Sequence, residues 1–215
     1  MSEVKVIFFT ALKQAIIDEV VSYVPSGYDL TVLGRESTKE QQIEAVKDAD
    51  FLLCYGMDPS DEVVRAAEKC RLVQLLAAGY DRVNLTLLRD LEIPCANNGG
   101  ANSWAVSDHA LLLMLSIYKQ LLASDPATRQ GRWNEPITGQ NTFEMAGKKV
   151  GVLGIGNIGK QVAKRVQSFD AQVQYYDLYP LDEEVSKNLG VTYVSLEELF
   201  RTSDIITCHT PLTGD

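Results

Sequence analysis

A chain of 215 residues can hold one large domain or two small ones, each able to bury its own core. A formal net charge of −9 repels phosphate backbones and argues against general nucleic-acid binding. Two histidines rule out a histidine-rich metal site, so no metal is expected, and the longest apolar stretch, Ala110 to Leu115, is too short to span a membrane.

In chain order, VKVIFFT (4–10) reads as a continuous apolar strand, too short and too soon followed by polar residues to be a secretion signal. Residues 11–24 have helical spacing. YDLTVL is a second strand, TKEQQIEAVKD a helix, and DADFLLCY a third strand. A helix opened by Pro59 and Asp61, the strand RLVQLLA, the short helix NLTLLRDLE and the short strand IPCA complete a first block. Apolar strands alternating with amphipathic helices predict an α/β fold, with a parallel sheet covered on both faces. The turn-rich Asn97-Asn98-Gly99-Gly100 closes this block.

Residues 103–124 predict one long helix, apolar around most of its circumference and therefore buried between domains or subunits. Residues 125–149, with two prolines and three glycines, predict an extended arm. A second alternating block follows: KVGVLG, a helix, AQVQYYD, a helix, VTYV, a helix opened by Ser195 with Glu198 as a capping box, and the strand DIITC. Two lobes are expected, residues 1–100 and 101–215. The four cysteines are scattered without a CxxC, as expected of reduced core thiols in a cytoplasmic protein.

The strongest motif is KKVGVLGIGNIGKQVAKRV, in which Gly154, Gly156 and Gly159 form a GxGxxG between a strand and a helix. Gly154 permits the tight turn. Gly156 lets a pyrophosphate approach the backbone. Gly159, with Ala163 one turn on, lets the helix pack closely on the strand. The free amides and the dipole of the helix start then face the phosphates. Asp177 lies 18 residues beyond Gly159, at the end of the next strand, where an acid accepts from the adenosine ribose hydroxyls. No Arg or Lys follows it closely, so NAD is expected rather than NADP.

On these residues the sequence resembles the D-isomer-specific 2-hydroxyacid dehydrogenases. LLAAGYDRVNL resembles that family's substrate loop, IPCANNGGANSWAVSDHALLLML its crossing into the cofactor domain, MAGKKVGVLGIGNIG its fingerprint, and DIITCHTPLTGD its P-L-T loop. The resemblance implies a flavodoxin-like substrate lobe and an incomplete Rossmann lobe, both with parallel sheets. It implies that the amides of Ala78 and Gly79 bind a substrate carboxylate and that Tyr55 faces the substrate. It also implies that Val106 touches the nicotinamide side, Asn157 and Ile158 lie on the pyrophosphate, and Thr210, Pro211 and Thr213 run beneath the dinucleotide. Ser107-Asp108 replaces the usual Ala-Glu, and Asn84 replaces an acid; both are expected to matter for packing.

The implied activity is interconversion of a small 2-keto acid and its D-2-hydroxy acid, with NAD as hydride carrier. In the family an Arg, a His and an acid that perform the chemistry follow the P-L-T loop. The chain is therefore expected to be a C-terminally truncated member without catalytic residues, inactive alone. His109 and His209 are expected to be hydrogen-bonded structural imidazoles. A homodimer is expected through residues 103–149, with neither nucleic acid nor membrane as partner. The alternative is a non-catalytic dinucleotide sensor or corepressor of the same fold.

Overall fold

The computed structural model describes residues 3–133 and 141–211. The chain divides into two compact units, Met1–Gly99 and Gly100–Asp215.

The first unit alternates strand and helix: β1 (Val4–Thr10), α1 (Gln14–Ser22), β2 (Tyr28–Leu33), α2 (Lys39–Val46), β3 (Phe51–Tyr55), α3 (Asp61–Ala66), β4 (Leu72–Leu75), α4 (Leu85–Asp90) and β5 (Cys95–Ala96). All strand pairs are parallel, in the order β2-β1-β3-β4-β5. This is the flavodoxin-like order, in which the chain reverses direction between β1 and β3. One face of the sheet, with Ile7, Phe9, Leu52, Cys54, Val73 and Leu75, packs on Val46, Val63, Val64, Leu87 and Leu88 of the helices. Phe8 and Phe9 are almost wholly buried on opposite faces of β1. Each contributes about 1.5–3 kcal/mol by leaving water. The face expected to be fully covered carries only α1 among the described residues. Beside it lies an apolar cavity of about 330 Å³, lined by Val6, Phe8, Val20, Val24, Leu53 and Leu76 among others.

The second unit contains α5 (Ser103–Tyr118), α6 (Leu121–Arg129), β6 (Lys149–Leu153), α7 (Asn157–Gln167), β7 (Gln172–Tyr176), α8 (Glu183–Leu189), β8 (Val191–Tyr193), α9 (Leu196–Thr202) and β9 (Ile205–Cys208). Its parallel sheet has the order β8-β7-β6-β9, with the reversal between β6 and β9. The core gathers Val150, Val152, Ile155, Val162, Ala163, Val166 and Tyr175. The side-chain nitrogen of the buried Gln174 is engaged: it donates to the Thr202 hydroxyl at 2.8 Å and the Ser203 hydroxyl at 2.9 Å.

Three expectations are corrected here. The single helix over 103–124 is two helices, broken at Gln120, whose φ of +50° places a non-glycine residue in the left-handed region. The second of them, α6, runs on to Arg129, so the expected arm begins as helix; residues 134–140 of that arm lie outside the described residues. In the single chain α5 exposes Trp104, Leu112, Leu113 and Ile117 and buries Ser103, Ser107 and Met114. The capping box falls elsewhere as well. Ser195 accepts from Glu198 N without the reciprocal bond, whereas Thr38 and Gln41 at the start of α2 make both.

The cysteines are all free, and Cys208 is exposed, contrary to the expected core position. No helix among the described residues is long and apolar enough to cross a membrane.

Candidate functional site

The chain leaves β6 through a turn that requires glycine for two separate reasons. Gly154 has φ +89°, and a Cβ there would lie 2.9 Å from the His209 carbonyl carbon and oxygen and 3.0 Å from Thr210 Cγ2. The turn therefore rests directly on the segment leaving β9, whose His209 amide donates to the Leu153 carbonyl at 2.7 Å. At Gly159, a Cβ would sit 2.2 Å from the Gly154 carbonyl oxygen, so the first turn of α7 lies in backbone contact with the loop.

Gly156, between them, has nothing within 4 Å of where a Cβ would point. The amides of Asn157, Ile158 and Gly159 donate to no acceptor among the described residues, and no acidic residue stands in the first turn of this 11-residue helix. Three free N–H groups beside an open face form an anion cradle. Asn157 is held close to Gly100, where a Cβ would meet its side-chain nitrogen at 2.6 Å.

Asp177 leaves β7 next to this turn. Its Oδ2 accepts from the Ile155 amide at 2.8 Å and its Oδ1 from the Tyr179 amide at 3.0 Å. The carboxylate thus ties the glycine-rich turn to the loop after β7 and still has lone pairs to spare. The buried Tyr175 hydroxyl fixes that second loop by accepting from the Leu181 amide at 3.0 Å and sharing a 3.2 Å bond with Ser186 Oγ. Sequence reasoning missed both supports, because a strand Tyr reads only as core.

Elsewhere in this unit, Val106, His109 and His209 border one mostly apolar cavity of about 520 Å³ between α5 and β9. His109 is exposed and makes no hydrogen bond among the described residues, which corrects its expected role as a bonded structural imidazole. The His209 ring does bond, its Nε2 lying 2.8 Å from Thr207 Oγ1, and burial holds its pKa below the usual 6.5. Thr210 and Pro211 are exposed beside the turn; Thr213 lies outside the described residues. Ser107 is buried and donates to the Trp104 carbonyl at 2.7 Å. Asp108 accepts from Arg165 Nε at 2.5 Å, and that guanidinium lies 5.1 Å from the Trp104 ring centre.

In the first unit, Tyr55, Ala78 and Gly79 all lie where strands end. Tyr55 pairs with Thr10 in register at the end of β3 and is partly exposed. Ala78 and Gly79 follow β4, and their amides donate to no acceptor among the described residues. Asn84 caps α4 by accepting from Leu87 N at 3.0 Å and donates to Asp61 at 2.8 Å. No cluster of metal-ligating side chains occurs among the described residues.

A parallel sheet with its reversal beside β6, a glycine turn opening a helix with free amides, and an acid ending the next strand define a dinucleotide-binding α/β protein. Residues 111–215 match the family model described as D-isomer specific 2-hydroxyacid dehydrogenase, NAD binding domain. A glyoxylate reductase from Korarchaeum cryptofilum is 34% identical over 182 residues, covering 83% of this chain and 54% of that protein. A D-3-phosphoglycerate dehydrogenase from Methanocaldococcus jannaschii is 32% identical over 178 residues, covering 82% and 33%. Among solved structures, the PH0520 protein from Pyrococcus horikoshii is similar with a TM-score of 0.76 at 25% identity, over 99% of this chain and 64% of that one. Residues 111–215 belong to the NAD binding domain of the D-isomer specific 2-hydroxyacid dehydrogenase family, and the chain as a whole is similar to members of that family. It spans about half the length of the glyoxylate reductases it matches.

Proposed function

We propose that this chain supplies the carboxylate-binding and NAD-binding parts of an oxidoreductase that interconverts a small 2-keto acid and its D-2-hydroxy acid. The observation that carries the reading is the set of free amides at Asn157, Ile158 and Gly159, beside a Gly156 with open space and within one residue of the Asp177-bound Ile155. The pyrophosphate of NAD fits the amides, and the ribose hydroxyls fit the remaining lone pairs of Asp177. Thr210, Pro211 and Thr213 would run along the dinucleotide, and Val106 would border its nicotinamide end. Bound NAD supplies or takes the hydride. Ala78 and Gly79 hold the substrate carboxylate with uncharged donors, and Tyr55 limits the room beside it. Relatives named glyoxylate reductase support a short 2-keto acid.

Neither histidine is proposed as the proton-transfer group. The His209 ring is committed to Thr207, and His109 has no partner among the described residues to orient it. We assign residues 1–100 to substrate and 101–215 to cofactor. A second copy of the chain would cover the exposed Trp104, Leu112, Leu113 and Ile117 of α5, together with Leu121 and Leu122 of α6.

The test is titration of the chain with NADH, followed by fluorescence, and a rate panel with glyoxylate, hydroxypyruvate, pyruvate and phosphohydroxypyruvate. Saturable NADH binding without turnover, altered by one of these acids, supports the reading, because no proton-transfer group is assigned within this chain. Saturable binding that none of the acids alters favours a dinucleotide sensor, oxidation of NADH by one of them would place the proton-transfer group in this chain, and no binding at millimolar NADH overturns the cofactor site as well.

A further inference from the structure

We infer that Asn97 is a positioning residue for the substrate carboxylate, acting by aiming the amides of Ala78 and Gly79; the inference rests on the carboxylate reading of that loop. The observations are two hydrogen bonds from the stretch after β5. The Asn97 side-chain amide donates to the Ala78 carbonyl at 2.7 Å, and the Asn98 backbone amide donates to the Ala77 carbonyl at 3.1 Å. Two consecutive carbonyls are thereby drawn toward one short segment.

In an extended strand consecutive carbonyls point to opposite sides, so this loop is not extended there. None of the described peptide bonds is cis. In a trans peptide the carbonyl of one residue and the amide of the next point in opposite directions. Capturing the Ala77 carbonyl therefore turns the Ala78 N–H away from Asn97-Asn98. Capturing the Ala78 carbonyl does the same to the Gly79 N–H. Both amides face the same side and have no acceptor among the described residues. Two adjacent parallel donors form a nest suited to a carboxylate.

The two clamps differ in kind. The Asn98 clamp is backbone and survives almost any substitution. The Asn97 clamp is a side chain, and it is what fixes the second donor. Without Asn97 the Ala78–Gly79 peptide is free to rotate, and the Gly79 N–H is no longer held parallel to its neighbour. Asp in place of Asn keeps the size but turns an acceptor toward the Ala78 carbonyl, which repels the peptide out of this orientation.

The experiment is a glyoxylate titration of the ¹⁵N-labelled chain with saturating NAD, following the Ala78 and Gly79 amide signals. Asn97→Ala, Asn97→Asp and the unaltered chain are compared. In the unaltered chain both amides should shift together on one binding curve. In Asn97→Ala the Kd should rise about three- to tenfold, the worth of one ordinary hydrogen bond. Asn97→Asp should rise further, with the Gly79 shift reduced more than that of Ala78. The spectrum itself reports folding, and Asn97→Asp, matched in shape, stands in if Asn97→Ala fails to fold. NAD affinity should be unchanged in both variants, which a general structural loss would not leave intact. If the unaltered chain shows no shift at Ala78 and Gly79, the carboxylate reading falls and this inference with it. If it shifts and both folded variants bind glyoxylate equally well, Asn97 has no positioning role.

Discussion

Each unit places a donor-bearing loop at the end of an interior parallel strand, and the two loops are built on opposite principles. The loop after β6 depends on missing side chains: Gly154 and Gly159 bring backbone within contact of backbone. The loop after β4 depends on an added side chain, Asn97, reaching across to a carbonyl. The first arrangement is sterically intolerant of change. In the second, one exposed side-chain hydrogen bond joins a backbone one, and the loop yields gradually when it is lost. An anion site made by close approach is therefore brittle, and one made by tethering is tunable.

The sharpest way to break this comparison is Gly159→Ala. Its Cβ would sit 2.2 Å from a backbone oxygen that cannot move aside, so overpacking should cost about 3 kcal/mol and NADH binding should be lost. Urea unfolding of the second unit with an unchanged midpoint would show that the contact is looser than described.

Next in size is Asp177→Ala. We expect NAD affinity to fall at least tenfold, since hydrogen bonds to a charged group contribute about 1.5–3 kcal/mol each. Because the same carboxylate also holds Ile155 N, NADP should lose affinity through the loop while gaining relief from repulsion. Asp177→Asn keeps one acceptor and should retain more NAD affinity than Asp177→Ala. Calorimetry that found the two variants identical would remove the loop-anchoring role.

Gln120→Gly should stabilise the second unit by about 0.5–1 kcal/mol, because glycine relieves the left-handed strain between α5 and α6. A lower melting temperature would mean that the Gln120 side-chain contacts outweigh that strain.

The smallest effects are titrations. His209 has a folded-state pKa below 6.5, so its contribution to stability is complete above pH 6.5. It is lost as the pH falls from 6.5 toward the folded value, where the unfolded chain takes up the proton first. His209→Gln should flatten that part of the stability curve. The thiols should divide similarly between the units. Burial pushes Cys54 up to about 12, whereas Cys208 is exposed, so iodoacetamide should label Cys208 well before Cys54 in the folded chain. Equal labelling rates under native conditions would contradict the burial of Cys54.

The same contrast explains what the sequence made legible. Order and type of the strands followed from continuous apolar runs, and the glycine turn followed because absence of a side chain is a conspicuous requirement. Asn97 was passed over as turn punctuation, because an Asn in a loop can donate almost anywhere and only the fold chooses its acceptor. The break at Gln120 was invisible for a related reason. The apolar pattern runs straight on through Leu121 and Leu122, and no Gly, Asn or Pro marks the reversal. Tyr175 and Asp177 were readable as strand residues, but their second bonds, to Leu181 N and Ile155 N, join segments whose closeness exists only after folding.

The division at Gly99 also sets a timetable for synthesis. Every strand of the first sheet, the central β3 included, is encoded before the residue at which the second unit starts. At about 5–20 residues per second, the 19 residues from Gly100 to the end of α5 at Tyr118 take about one to four seconds to follow. A ribosome-bound nascent chain therefore has a short interval in which to begin pairing its first parallel sheet, slow as such non-local pairing is, before the apolar α5 is complete.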